Sequence, residues 1–174
     1  MSTVFVGGSR RISRVNALLV NRLENIVTNK LDIIIGDANG FDRAAQTFFH
    51  GLGYRSVTVY CTNGKCRNNV GHWPIYIVNF QGRGRGREFY TAKDDAMIQD
   101  ADYGLFAWDG KSKGTIRNVE IMAKEGKPSA IYVSSARMFT AIRSVNDLQN
   151  LDCDQLDRDR CQADLFNQGW REVG

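Results

Sequence analysis

Three glycine-bearing stretches carry the residue types that bind oxyanions. In Gly7-Gly8-Ser9-Arg10 the glycines let backbone N–H groups come close to a phosphate, Ser9 offers a hydroxyl, and Arg10 or the adjacent Arg11 can pair with an anionic oxygen. Taken alone, the run reads equally well as a tight strand-to-helix turn. The second stretch, Gly36-Asp37-Ala38-Asn39-Gly40-Phe41-Asp42, surrounds a helix start with two aspartates. Asp42 could cap that helix or accept hydrogen bonds from a ribose hydroxyl, and capping accounts for only one of the two carboxylates. The third, Asp109-Gly110-Lys111-Ser112-Lys113-Gly114-Thr115, makes room at Gly110 and Gly114 and adds hydroxyls at Ser112 and Thr115. It opens a helix, where exposed amides and the helix dipole stabilise a phosphate. It is not a Walker P-loop, because the Gly-Lys-Ser/Thr ending is missing, and its simpler reading is a solvated lysine loop.

Other chemistries leave weaker traces. Gln81-Gly82-Arg83-Gly84-Arg85-Gly86-Arg87 is a cationic run whose arginines can fork onto phosphates. With Trp73, Phe80, Phe89 and Tyr90 nearby it could stack the bases of a single strand, or form a lid or a plain surface loop. Cys61, Cys66 and His72, with His50 as a fourth group, could make a tetrahedral zinc site, but one Cys-x4-Cys spacing is unspecific and no metal is expected. No Gly-x-Ser-x-Gly elbow supports a serine hydrolase.

The elements that must position these loops alternate. Thr3–Gly7, Asp32–Gly36, Arg55–Tyr60, Pro74–Phe80, Tyr103–Trp108 and Ser129–Val133 read as strands, the last closing the sheet. Helical periods fall between them: one capped by Ser13 and running to Val27, then Gly40–His50, Thr91–Asp100 and Gly114–Glu125. Such β-α-β alternation predicts a Rossmann-like three-layer αβα sandwich with a mostly parallel sheet, whose ligands bind beyond the carboxyl ends of the strands. The expected division is a nucleotide-binding domain over 1–146 and an acidic helical extension over 147–174, with polar helices from Ser144 to Phe166 packed on the body.

Composition narrows the classes further. In 174 residues, 43% hydrophobic and 24% charged, there is enough apolar material for one globular core, which excludes a disordered chain. No apolar run approaches a membrane span and no signal sequence is read, so a cytoplasmic protein with reduced thiols is expected and no membrane partner. The net charge of +4 hides an asymmetry: seven acids against three bases after position 146 leave −4 in the tail and +8 in the body. A basic body favours a nucleotide or a nucleic acid over a neutral ligand.

Together the three loops resemble the SLOG superfamily, which includes the lysine-decarboxylase-like (LOG) phosphoribohydrolases and the DNA-processing protein DprA/Smf. The likeness is greatest to its small YspA-like branch. It rests on Gly8-Ser9-Arg10, on Gly36 through Asp42 to Ala45, and on Asp100-Ala101-Asp102 through Asp109 and Thr115 to Gly126-Lys127-Pro128, and covers about residues 3–133. The resemblance implies a nucleotide or nucleotide-derived ligand held by Gly8, Ser9, Arg10, Gly36, Asp37, Gly40, Asp42, Gly114 and Thr115. Gly110, Ser112 and Arg87 would stand at the rim, no other cofactor is implied, and a homodimer is.

The hydrolytic relatives carry a glutamate two or three positions after the Gly-Thr threonine. Here those positions are Arg117 and Asn118, and Glu120 faces elsewhere on a helix. Binding is therefore the leading expectation. N-glycosidic cleavage using Asp42, Asp109 or Glu120, and DprA-like binding of single-stranded nucleic acid through the Arg83–Arg87 loop, are the alternatives.

Overall fold

Burial along the strands explains the layering. In β1 (Thr3–Gly8) Val4 and Val6 pack into one apolar cluster and Phe5 into another; in β2 (Asp32–Gly36) Ile33 and Ile35 part from Ile34 in the same way. A strand that buries both faces needs no polar alternation, which is why these runs are continuously apolar. One face is covered by α1 (Ala17–Thr28) and α2 (Phe41–Gly51), through Leu19, Leu23, Phe41, Ala45 and Phe49. The other is covered by α3 (Arg87–Asp100) and α4 (Lys113–Lys124), through Met97, Ile98, Val119 and Met122. The result is the expected three-layer α/β sandwich. The computed structural model describes residues 1–64, 66–82 and 86–151, the side chains of Arg87 and Asn150 excepted.

The remaining strands are β3 (Val57–Thr62), β4 (Ile75–Val78), β5 (Tyr103–Trp108), β6 (Ser129–Val133) and β7 (Met138–Ile142). Among the described residues they form one seven-stranded sheet in the order β4-β3-β2-β1-β5-β6-β7. All neighbours are parallel except β6 and β7. The chain winds outward from β1 to β4 and then returns to place β5 on the other side of β1. Val4 consequently has Ile33 as its partner on one side and Tyr103 on the other. Connections leaving β1 and β5 diverge at such a reversal and leave a crevice between them.

Several elements differ from the sequence reading. The cap of α1 is Asn16, not Ser13: Asn16 Oδ1 accepts the Leu19 amide at 3.0 Å, because the chain leaving β1 first folds back through a turn from Ser9 O to Ile12 N. Helix α3 starts at Arg87, one turn before Thr91. The sheet does not close at Val133, because a turn through Arg137, at φ +52°, returns the chain as the antiparallel edge β7. Beyond it Val145–Leu151 form a 3-10 helix, and the rest of the expected polar helices lies outside the described residues. Cys61 and Cys66 are joined in a disulfide rather than reduced, their Cα atoms 5.2 Å apart across a tight turn, within the reach of such a bond. No helix among the described residues is long and apolar enough to cross a membrane.

Candidate functional site

A cleft of about 440 Å³ lies at the carboxyl ends of β1 and β5, between the loops that leave them and the starts of α3 and α4. Its back wall is the end of β1. Gly8 sits so close to β5 that a Cβ would press on the Ala107 carbonyl, and the Ser9 amide donates to that carbonyl at 2.8 Å. Ser9 is buried; its carbonyl accepts the Phe41 amide at 3.1 Å, which ties the first loop to the start of α2. Its hydroxyl accepts the Arg11 amide and also bonds the Asp109 carboxylate, so it is a structural tie as well as a polar lining group.

The floor is charged and buried. Lys93, on α3, is 5% exposed, and its ammonium lies 3.1 Å from Asp94 Oδ1 and 4.0 Å from Asp37 Oδ1. Burial opposes its charge, yet Asp94, Asp42 and Asp37 outweigh burial and hold its pKa above the usual lysine value. Asp42, in the first turn of α2, is buried, and its Oδ2 accepts the Ala38 amide at 3.2 Å. Burial, with the repulsion of Asp94 and Asp37, pushes its carboxyl up to about 6 against the pull of Lys93. Gly36 underlies this pair, since a Cβ there would meet Asp42 Oδ2 at 2.5 Å and Lys93 Nζ at 2.7 Å. Asn118, one turn into α4, donates to Asp94 Oδ2 at 3.1 Å, so the position that lacks a carboxylate holds one from the neighbouring helix.

Cations and one aromatic ring make the rim. Arg67 grips Asp37 at both oxygens, 2.7 Å from Nη2 to Oδ1 and 3.1 Å from Nε to Oδ2, and its amide adds a third bond at 3.0 Å. Burial of Asp37 is outweighed by these bonds and by Lys93, which hold its carboxyl below the ordinary range. Arg10 and Arg67 both lie over the Tyr90 ring, 5.1 and 5.5 Å from its centroid. On the opposite side Ser112 caps α4 and Lys113, Gly114 and Thr115 of its first turn line the cleft. Asp109 accepts the Lys111 and Ser112 amides at 3.0 and 2.7 Å, and these outweigh burial and hold its carboxyl below the ordinary range.

Of the residues picked from the sequence, Gly8, Ser9, Arg10, Asp42, Asp109, Ser112, Gly114 and Thr115 line this one cleft. Gly36, Asp37, Gly40 and Gly110 stand behind the lining: Gly36 under the charged floor, Asp37 clamped by Arg67, and Gly40 and Gly110 at φ +85° and +79° in the turns. Glu120 lies outside it, ion-paired with Lys124 at 2.6 Å on the solvent side of α4. Arg87 is the first residue of α3, and its side chain, like Arg83 and Arg85, is outside the described residues. Trp73 cannot stack a base, because it is buried and its Nε1 donates to Tyr54 O at 2.8 Å. The two sulfurs weighed as zinc ligands are bonded to each other, and the described residues contain no cluster of three ligating side chains.

Lys93 and Asp94 were not picked from the sequence, and Tyr90 entered it only as a ring that could stack a base. Their signal was the stripe Tyr90, Lys93, Met97, Ala101 at helical spacing, in which a lysine occupies an inward position of α3.

No protein-family model matches the chain, and no curated protein matches it. Solved structures do share the fold. DNA processing protein A from Helicobacter pylori, described with a single-stranded DNA binding mode, is 17% identical with a TM-score of 0.56. The match covers 75% of this chain and 64% of that one. DNA processing protein A (DprA) from Streptococcus pneumoniae matches at 17% identity and a TM-score of 0.56, over 75% of this chain and 50% of that one. The chain therefore spans about two-thirds or less of the neighbours' length, and what it shares with them is the fold.

Proposed function

We propose that the protein binds a nucleoside phosphate in the β1/β5 cleft. The observation that carries this reading is the separation of charge across one cavity. Cationic Arg10, Arg11, Arg67, Lys111 and Lys113 stand with the first turn of α4 at the rim, while Asp42, Asp94 and Asn118 lie at the floor with the single ammonium of Lys93. The rim suits a phosphate, for which helix-start amides and guanidinium groups are matched donors. The floor suits the neutral, hydroxyl-bearing part of the ligand, because Asp42, Asp94 and Asn118 supply acceptors. Saturation-transfer NMR with AMP, ADP and ATP tests it. Binding is expected to weaken about tenfold in Arg10→Ala, as for the loss of one charge-assisted contact, and absence of transfer to every nucleotide would refute the reading. The same samples read after hours show whether free base accumulates, and its loss in Asp42→Asn would make the site hydrolytic.

A polynucleotide is the second source of the same phosphate chemistry. The +8 charge of residues 1–146 and the fold shared with the Helicobacter pylori protein favour it. A second copy of the chain, implied by the family resemblance, is measured separately by light scattering.

A further inference from the structure

The loop between β3 and β4 carries the cation that faces the ligand from this side, and a covalent bridge precedes it by one residue. Cys61 ends deep in the core at the tip of β3, with no exposed surface, while Cys66 is half-buried. Between them the chain reverses through Asn63 and Gly64, both with left-handed backbones at φ +52° and +75°. Asn63 fastens this turn to the segment after β4, accepting the Phe80 amide at 2.7 Å. Arg67 follows Cys66 immediately. After Arg67 no covalent tie holds the loop: Asn68 Nδ2 donates to Asp37 O at 2.8 Å, the Val70 amide donates to Gln46 Oε1 at 2.9 Å, and Trp73 packs into the core six residues on. Arg67 thus lies between a covalent anchor and a set of exchangeable ones, with its guanidinium on Asp37 and over Tyr90.

We propose that the Cys61–Cys66 disulfide is a redox-controlled anchor for the Arg67 wall of the cleft, so that its reduction by a dithiol weakens binding of the phosphorylated ligand. The inference rests on the proposed function for its ligand, and on the bridge alone for its mechanics. A thiolate of the dithiol attacks the sulfur of Cys66, the less buried of the two cysteines, forming a mixed disulfide and expelling the Cys61 thiolate, which takes up a proton. The second thiol of the reductant then attacks its own bonded sulfur, closes to a cyclic disulfide and releases Cys66 as a thiolate, protonated in turn. Two electrons and two protons pass to the protein, and the reductant is oxidised by the same two electrons. The freed turn at Asn63 and Gly64 regains the conformations that the bridge removed, and the Arg67 amide and guanidinium lose their fixed approach to Asp37.

The test uses the full chain and ADP as the probe. Calorimetric titrations are run on oxidised protein, on protein reduced with dithiothreitol, on protein reoxidised afterwards, and on a Cys61→Ala/Cys66→Ala double variant. Thiol alkylation with peptide mapping follows the bridge, and limited thermolysin digestion follows the loop. ADP affinity is expected to fall about five- to tenfold on reduction, in line with one weakened charged contact, and to return on reoxidation. The double variant should match the reduced protein and ignore the reductant. Equal affinity in both states, with the bridge shown to open, overturns the anchor and leaves the proposed function standing. Cys61 and Cys66 alkylated as free thiols in the oxidised sample also overturn it. If AMP, ADP and ATP all fail to bind in either state, the proposed function fails and the digestion decides: faster cleavage within 62–70 on reduction supports the anchor, and an unchanged pattern overturns it.

Discussion

At the scale of single residues the site is governed by one ammonium shared among three carboxylates. Lys93 cannot neutralise Asp37, Asp42 and Asp94 equally. Asp37 is further served by Arg67, whereas Asp42 is buried with one amide and no arginine, which pushes its carboxyl up to about 6. That difference sets a sign. In the unfolded chain Asp42 ionises near 3.8, so between about pH 4 and 6 the folded state holds more protons and this group's contribution to stability falls as pH rises. Asn cannot ionise, so Asp42→Asn is expected to gain about 2 kcal/mol relative to the parent chain between pH 4 and 7, whatever its offset at pH 4. Urea denaturation at several pH values measures this; a constant difference would show that Asp42 is ionised throughout. The role of Asp42 as a polar lining residue was legible from its place after Gly40, but its partner was not. A lysine beside two aspartates in Lys93-Asp94-Asp95 reads as a solvated helix face, and only the packing of Met97 and Ile98 on the same helix turns Lys93 inward.

At the scale of elements, the loops leaving β1 and β2 are a single interlocked structure. Gly40 stands at φ +85°, and a Cβ there would collide with the Arg10 backbone, so the residue that begins α2 also leaves room for the residue that faces the ligand. Gly40→Ala should therefore cost about 2 to 4 kcal/mol through both strain and displacement of the first loop. It should also lower ADP affinity, whereas Gly53→Ala, equally left-handed at φ +65° but in open space, should cost stability alone. Melting curves and titrations of the two variants separate these effects. Strands, helices and glycine turns were legible because each is written locally, as β-branched runs, a 3.6-residue period and Gly pairs. Strand β7 was not, because Met138–Ile142 is a five-residue run whose pairing with β6 is specified by the turn at Arg137. The Cys61–Cys66 bond was hidden for a similar reason, since spacing alone leaves ligation, bonding and free thiols open.

At the scale of the whole molecule, the question is whether one phosphate or a chain of them meets the basic body. Arg10, Arg11, Lys111 and Lys113 could neutralise about four phosphates, which for a single strand predicts a slope near −3 in log affinity against log salt. Anisotropy with a labelled thymidine oligonucleotide should show that slope, reduced by about 1.4 in Arg10→Ala/Lys111→Ala, if DNA is the ligand. A slope that ignores these substitutions would place any DNA binding elsewhere on the surface. The sheet order has a kinetic consequence too. Strand β1 meets β2 after about thirty residues but meets β5 only after about a hundred, so the half of the sheet from β1 to β4 can assemble before the seam with β5 closes. The cleft lies on that seam. It is completed by the pairing of greatest sequence separation, and a ligand bridging the seam should hold the native state chiefly by slowing its unfolding, leaving the rate of refolding almost unchanged.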